Sequence, residues 1–288
     1  MFKQDLKDPS NRLSSWTSEG DCCNWSGVVC DSFTGHVREL HLNNPNPYVS
    51  VPFLFILNYK GLTWLGGTIN PSLLYLKHLN YLDLRYKNFQ GNQIPSFFGP
   101  LKSLRYLNLS QAGFQGMIPP QLGNLSNLRV LGLSDYMLKA ENLERVSGIS
   151  HLQNQDMSFT NLSKPANWLN EINMLPSLLE LRMEACILSP VPPPTIINFT
   201  SLSILDLSLT RNLMPSWAFN LTNVVSLYLR DSGLQGTVST CPPDLSLDNL
   251  CKLIDLDLSS NSLHGNVSEI FESLSVCSSY RIVIVVGK

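Results

Sequence analysis

A chain of 288 residues can bury a large core, and with 15% charged residues and a net charge of −2 it has no general attraction for nucleic acid or membrane surfaces. That charge content is low beside the roughly 25% of an ordinary globular chain. Seven cysteines point to an oxidising compartment, and the odd count leaves at least one thiol without a partner in the chain.

At the amino terminus Phe2 and Leu6 are spaced to share a helical face, and Asp8-Pro9 ends that turn or caps the next. Leu13 and Trp16 are placed to cover the open end of a stack of repeats. The run Cys22-Cys23-Asn24-Trp25-Ser26-Gly27-Val28-Val29-Cys30 then supplies a cross-linkable cap, so residues 1–36 read as a cap segment. Val37, Leu40 and Leu42 form a first, degenerate unit. Residues 43–64, with Pro45, Pro47 and Pro52, break the pattern as an inserted loop that resumes at Leu65.

From Leu79 onward one frame recurs. Units begin at Leu79, Leu104, Leu128, Leu152, Leu178, Leu202, Val224 and Leu253, 22 to 29 residues apart. The fullest copy has Leu253, Leu256, Leu258, Asn261, Leu263 and Gly265 at positions 1, 4, 6, 9, 11 and 13. This is the leucine-rich-repeat pattern L-x-x-L-x-L-x-x-N/C-x-L. Positions 4 and 6 share one face of a short strand. No single unit can bury its leucines, so the pattern requires a stack. The expected fold is an α/β solenoid over residues 37–277, a right-handed superhelix (horseshoe) with a parallel sheet on its concave side. Position 9 should carry an Asn that bonds neighbouring backbone, and only Asn261 does so. Lys87, Ala112, Tyr136, Thr160, Cys186, Thr210 and Ser232 hold the equivalent places. Cys186, Thr and Ser can substitute in part, and irregular coils are expected over residues 136–178.

Positions 2, 3, 5, 7 and 8 of each strand should face solvent on the concave side. They hold Tyr81, Arg85 and Tyr86; Arg105, Tyr106 and Gln111; Arg129 and Asp135; Glu180, Arg182 and Glu184; and Tyr228, Arg230 and Asp231. Tyr and Arg are enriched at binding hot spots, so this stripe is the candidate ligand face. Sequons at Asn24, Asn108, Asn124, Asn161, Asn198, Asn220 and Asn266 favour the secretory pathway. A glycan on Asn108 would stand on the candidate face. Cys251 and Cys277 lie about one repeat apart, which puts them on adjacent coils as a candidate disulfide. Cys241 has no evident partner.

Signatures of catalysis are missing: there is no Walker motif, kinase signature, G-x-S-x-G, H-E-x-x-H or metal-spaced C-x-x-C. The histidines are scattered, and Asp255 and Asp257 read as a solvated pair rather than a metal site. No enzyme activity, cofactor or metal is expected. The first residues have no apolar signal core and no 18-residue apolar span exists. Sequons without a leader point to a chain truncated at both ends, with residues 278–288 an aberrant tail able to add one last edge strand.

Asp8-Pro9-Ser10-Asn11-Arg12-Leu13-Ser14-Ser15-Trp16, the Cys22–Cys30 run and Gly35-His36-Val37-Arg38-Glu39-Leu40-His41-Leu42 resemble the amino-terminal cap of plant leucine-rich-repeat receptor-like proteins of the elicitor-receptor type. Gly116-Met117-Ile118-Pro119 is similar to the plant form of the repeat. The resemblance implies a Cys23–Cys30 disulfide and leaves Cys22 to pair with a residue before Met1. It implies a cell-surface protein at the outer face of the plasma membrane that recognises a protein, peptide or glycan elicitor in defence signalling. Membrane receptor kinases would be its partners. Two other biologies share this resemblance: a secreted inhibitor of microbial wall-degrading enzymes, of the polygalacturonase-inhibitor kind, and a developmental peptide receptor.

Overall fold

The computed structural model describes residues 2–44, 64–192, 196–211, 215–237, 250–264 and 283–285. The chain divides into two compact units, Met1–Lys139 and Ala140–Lys288.

In the first unit, strand β1 (Val28–Cys30) runs antiparallel to β2 (Val37–His41). From β2 the strands are parallel, through β3 (Tyr81–Asp83), β4 (Tyr106–Asn108) and β5 (Val130–Gly132). Leu40, Leu82, Leu107 and Leu131 stand in register across them, all buried. These are the position-4 leucines, and the repeat frame is therefore the frame of the core. Phe89 and Phe114 replace the position-11 leucine in two successive coils and stack at 4.6 Å. Returning segments form 3₁₀ turns at Pro71–Tyr75, Ser96–Phe98 and Pro120–Asn124. The first is set up by sequence: Asn70 accepts the Ser72 N–H at 2.8 Å, and Pro71 fills a helix start where no donor is needed.

The amino terminus differs from its expected helix. Phe2–Asp5 is a 3₁₀ turn, and Leu6–Lys7 is a strand antiparallel to Gly66–Gly67. Pairing wins because two glycines let the backbones close in. Gly67 has φ +93°, and a Cβ there would overlap the Asp5 carbonyl. Asp8 caps as expected, accepting the N–H groups of Arg12 at 2.9 Å and Leu13 at 2.7 Å. Leu13 and Trp16 are buried beneath the cap. Cys23 and Cys30 form the expected disulfide with Cα atoms 5.5 Å apart, and Cys22 is free. Most of the expected inserted loop, residues 45–63, lies outside the described residues.

The second unit repeats the scheme with β6 (Asn154–Asp156), β7 (Glu180–Arg182), β8 (Ile204–Asp206), β9 (Ser226–Tyr228), β10 (Asp255–Asp257) and β11 (Val283–Val285), all parallel. The tail thus adds its last strand. The rest of the tail lies outside the described residues. Two return segments are α-helices, α1 (Glu144–Ser147) and α2 (Trp168–Ile172). Each unit carries short parallel pairs away from the main strands, Gly116–Met117 with Leu138–Lys139 in the first, and Asn161–Leu162 with Ile187–Leu188 in the second.

The position-9 ladder behaves as its chemistry demands. Asn261 donates to the carbonyls of Leu229 (2.7 Å) and Leu258 (2.9 Å) and accepts the N–H groups of Ser232 and Leu234, both at 3.1 Å. Cys186 is buried, and its thiol donates to the Met157 carbonyl of the preceding coil at 3.0 Å. Burial pushes that thiol pKa up. The coils at 136–178 keep their strand but depart from the repeat elsewhere, with α-helical return segments and Gln155 in a leucine place. Tyr136 turns outward, and the adjacent Asp135 turns in, accepting the Gly113 N–H at 3.0 Å. Lys87 is also fully buried, its amine 3.4 Å from the Asn44 Oδ1. Desolvation, and then the nearby Arg12, pull that amine down to about 7. Asn44 holds the coil before it, taking a bond from Arg12 and donating to the Tyr86 carbonyl.

One strand position breaks the leucine register. Gln155 stands opposite Leu181 and is 1% exposed. Its Nε2 lies 2.8 Å from the Met157 sulfur, and its Oε1 has no partner among the described residues.

Candidate ligand-binding face

A tripeptide organises the open face of the strands. Asn108-Leu109-Ser110, Asp206-Leu207-Ser208 and Asp257-Leu258-Ser259 put a short acceptor at position 5 and a free N–H at position 7. The position-5 oxygen accepts that N–H at 2.9–3.0 Å in each coil. Asp83 and Asp156 do the same for Arg85 and Ser158. These side chains end each strand, as Asx turns do. Asp257 is one of them, so its carboxylate is spent on backbone. Asp255 accepts the Ser226 hydroxyl at 3.0 Å. Among the described residues the one group with metal-ligand proximity is Cys22, Cys23 and Cys30, and two of those form the disulfide.

In the first unit the face is aromatic and basic. Tyr81 and Tyr106, opposite each other in register, stack at 4.0 Å with planes 11° apart. His41 stacks on the other side of Tyr81 at 4.3 Å, held by Glu39 at 2.7 Å. Burial pushes the Tyr81 phenol pKa up, and a hydrogen bond with Tyr106 pushes it further. Arg85 lies in a fork against Asp83, with Nη2 to Oδ2 at 2.7 Å and Nε to Oδ1 at 3.0 Å. That pairing, above all, raises the guanidinium pKa. Arg105 and Arg129 are exposed on adjacent strands, the Arg129 N–H bonding the Arg105 carbonyl at 2.8 Å. Tyr86 and Gln111 are half-buried at left-handed backbone positions, φ +56° and +54°. Asp135 is buried in the ladder and does not reach the face.

In the second unit the face is acidic. Arg182 pairs with Glu180 and lies 3.7 Å from Asp206. Burial works against its charge, but the bond to Glu180 and the surrounding carboxylates raise its pKa. Glu180 also accepts the Asn154 amide at 2.6 Å. Glu184 is half-buried, its pKa raised by burial and then by Asp206 and Asp156. Tyr228 is half-buried, Arg230 exposed, and Asp231 pairs with Arg211 at 3.1 Å. Sequence reading missed His41 and Glu39 because their coil had a degenerate frame. It also missed the position-5 acceptors, though the repeated Asp/Asn-Leu-Ser spacing marks them.

The sequons fall on different surfaces. Asn24, Asn124, Asn198 and Asn220 are exposed, and Asn161 and Asn108 are half-buried. Asn266 lies outside the described residues. So do Cys241 and Cys277, although Cys251 is disulfide-bonded.

A stacked parallel strand in every coil, a cross-linked cap and an open face rich in Tyr, Arg and carboxylates define a leucine-rich-repeat recognition solenoid. Residues 1–31 match the leucine rich repeat N-terminal domain family. The chain is 37% identical to receptor-like protein EIX1 of Solanum lycopersicum over 274 residues, covering 90% of this chain and 25% of that protein. It is 36% identical to receptor-like protein EIX2 of the same species over 287 residues, covering 95% and 26%. The solved structure of PEPR1-AtPEP1 superposes with a TM-score of 0.70 and 30% identity, over 99% of this chain and 37% of that one. The chain spans about a quarter of the length of these curated relatives. It belongs to the plant leucine-rich-repeat receptor-like proteins.

Proposed function

We propose that this chain is a non-enzymatic ligand-recognition region of a cell-surface receptor-like protein in plant defence. In this reading the open strand face takes the ligand, and membrane receptor kinases carry the signal. The observation that carries the reading is the half-exposed Tyr81–Tyr106 stack on the open strand face, with Arg105 and Arg129 exposed just before their strands. Similarity to EIX1 and EIX2 supports the receptor setting, and similarity to the solved PEPR1-AtPEP1 pair supports a solenoid that takes a partner. Among the described residues no helix is long and apolar enough to cross a membrane.

The test is a binding panel. Purified chain is immobilised and challenged with secreted fungal wall-degrading enzymes, plant-wall oligosaccharides and secreted plant peptides. At least one component should bind, and binding should be lost in Tyr81→Ser with Tyr106→Ser. It should be unchanged in Tyr136→Ser, a ring exposed elsewhere on the same unit. Stoichiometric inhibition of a wall-degrading enzyme would replace the receptor reading with the inhibitor one, and binding that ignores the Tyr pair would overturn the assigned face.

A further inference from the structure

Resting on that assignment of the face, we propose that the first unit recognises an anionic sugar chain, a uronate oligomer, with one pyranose ring seated against Tyr106. The aromatic stack His41, Tyr81, Tyr106 stops at Tyr106. The next strand places Val130 opposite it and Gly132 opposite Asn108, so bulk drops by a whole ring from one coil to the next. At Gly132 the Asn108 amide lies where a Cβ would be, so a larger residue there would have to displace that amide. The result is a step on the face. Its wall is the outer side of the Tyr106 ring, and its floor is the Asn108 amide on Gly132. Asn108 Nδ2 points to the Tyr106 hydroxyl at 3.3 Å, so the wall and floor are tied together.

Charge selects the ligand further. Arg85 is paired with Asp83 and Arg38 with Asp31, and His41 is hydrogen-bonded to Glu39. Arg105 and Arg129 have no ion-pair partner among the described residues. They are exposed at the same repeat position of adjacent coils, each just before its strand, and the Arg129 N–H bonds the Arg105 carbonyl at 2.8 Å. Two guanidiniums so placed offer paired forks that match the carboxylates of successive acidic units. A pyranose presents C–H groups to the electron-rich face of a phenol and hydroxyls to an amide. The surrounding face residues are polar or aromatic, apart from Val130. That suits a flat, hydroxylated ring better than the apolar anchor side chain of a peptide.

The experiment titrates purified chain by calorimetry with a (1→4)-linked galacturonate oligomer, a neutral glucose oligomer of equal length and a poly-glutamate peptide. The galacturonate oligomer should bind and the glucose oligomer should not. Affinity should fall about tenfold or more in Arg105→Gln with Arg129→Gln, and likewise in Tyr106→Leu, as for loss of a charge-assisted or stacking contact. Circular dichroism of each variant reports whether the fold is kept. Equal binding of poly-glutamate that ignores Tyr106→Leu would overturn the proposal in favour of an acidic peptide, and no binding of galacturonate would overturn it outright. Full glycosylation of Asn108 in plant-expressed chain, read by mass spectrometry, would also overturn it, because that glycan would fill the step. If galacturonate fails while a panel component still needs Tyr81 and Tyr106, the sugar class falls and the receptor reading stands.

Discussion

Replacing Gln155 with Leu should stabilise the second unit, although Gln155 is fully buried and centrally placed. In every other coil from β2 to β10 the equivalent residue is a buried leucine. The Gln155 amide instead has a sulfur at one end and no hydrogen-bond partner at the other among the described residues. Turning the amide over does not help, since it only exchanges which end meets the sulfur. An unpaired buried polar group costs about 1–3 kcal/mol, and a weak sulfur contact returns little of it. Leucine is close in volume and restores the register against Leu181. A gain of about 2 kcal/mol is expected, which for a chain of this size raises the melting temperature by roughly 4 °C. Urea denaturation gives the free energy. Hydrogen exchange at Leu181 and Met183 localises it, because solenoid units are stabilised mainly through their nearest neighbours. A neutral or destabilising Gln155→Leu would refute the reasoning and show that the amide is fully bonded in solution.

Other expectations rest on the ladder, the cap and the buried amine. Asn261→Ala removes four backbone partners at 2.7–3.1 Å and should cost about 3 kcal/mol, read by urea denaturation; a loss below about 1 kcal/mol would mean the neighbouring carbonyls find other donors. Cys30→Ser opens the disulfide to Cys23 and should cost about 2 kcal/mol, with the loss of exchange protection confined to the cap. Lys87 gives a pH signature. Its amine titrates near 7 in the fold against an ordinary 10.5, so between those values the unfolded chain binds a proton that the fold does not. Wild-type stability should therefore rise with pH across that window, by at most about 5 kcal/mol. Lys87→Met lacks this rise, and the difference between the two proteins, measured at pH 6.5, 8 and 9.5, cancels all other groups. A difference that is flat with pH would place the Lys87 amine in water.

The fold was legible because its information is redundant. Each position-4 leucine touches its counterparts in the coils on either side, so eight weak signals at one period make a single strong one. The misreadings come where one side chain settles a local choice. Whether residue 135 or 136 turns inward decides that Asp135 joins the ladder and Tyr136 faces solvent. A spacing rule cannot see that rotation. Asn44 was hidden because its coil runs into the proline-rich stretch, yet it supplies the bond that makes a buried Lys87 tolerable. The open face is harder still to read. Its residues need not repeat a neighbour's type to make their contacts, so period and pattern do not constrain them. Only the structure shows that Tyr81 and Tyr106 stack, that Arg85 is spent on Asp83, and that among the described residues Arg105 and Arg129 have no such partner. Composition had marked all five as equals. What separates them is whether their charge or ring face is already satisfied, and the two unsatisfied arginines beside the end of the stack are where a ligand has most to gain.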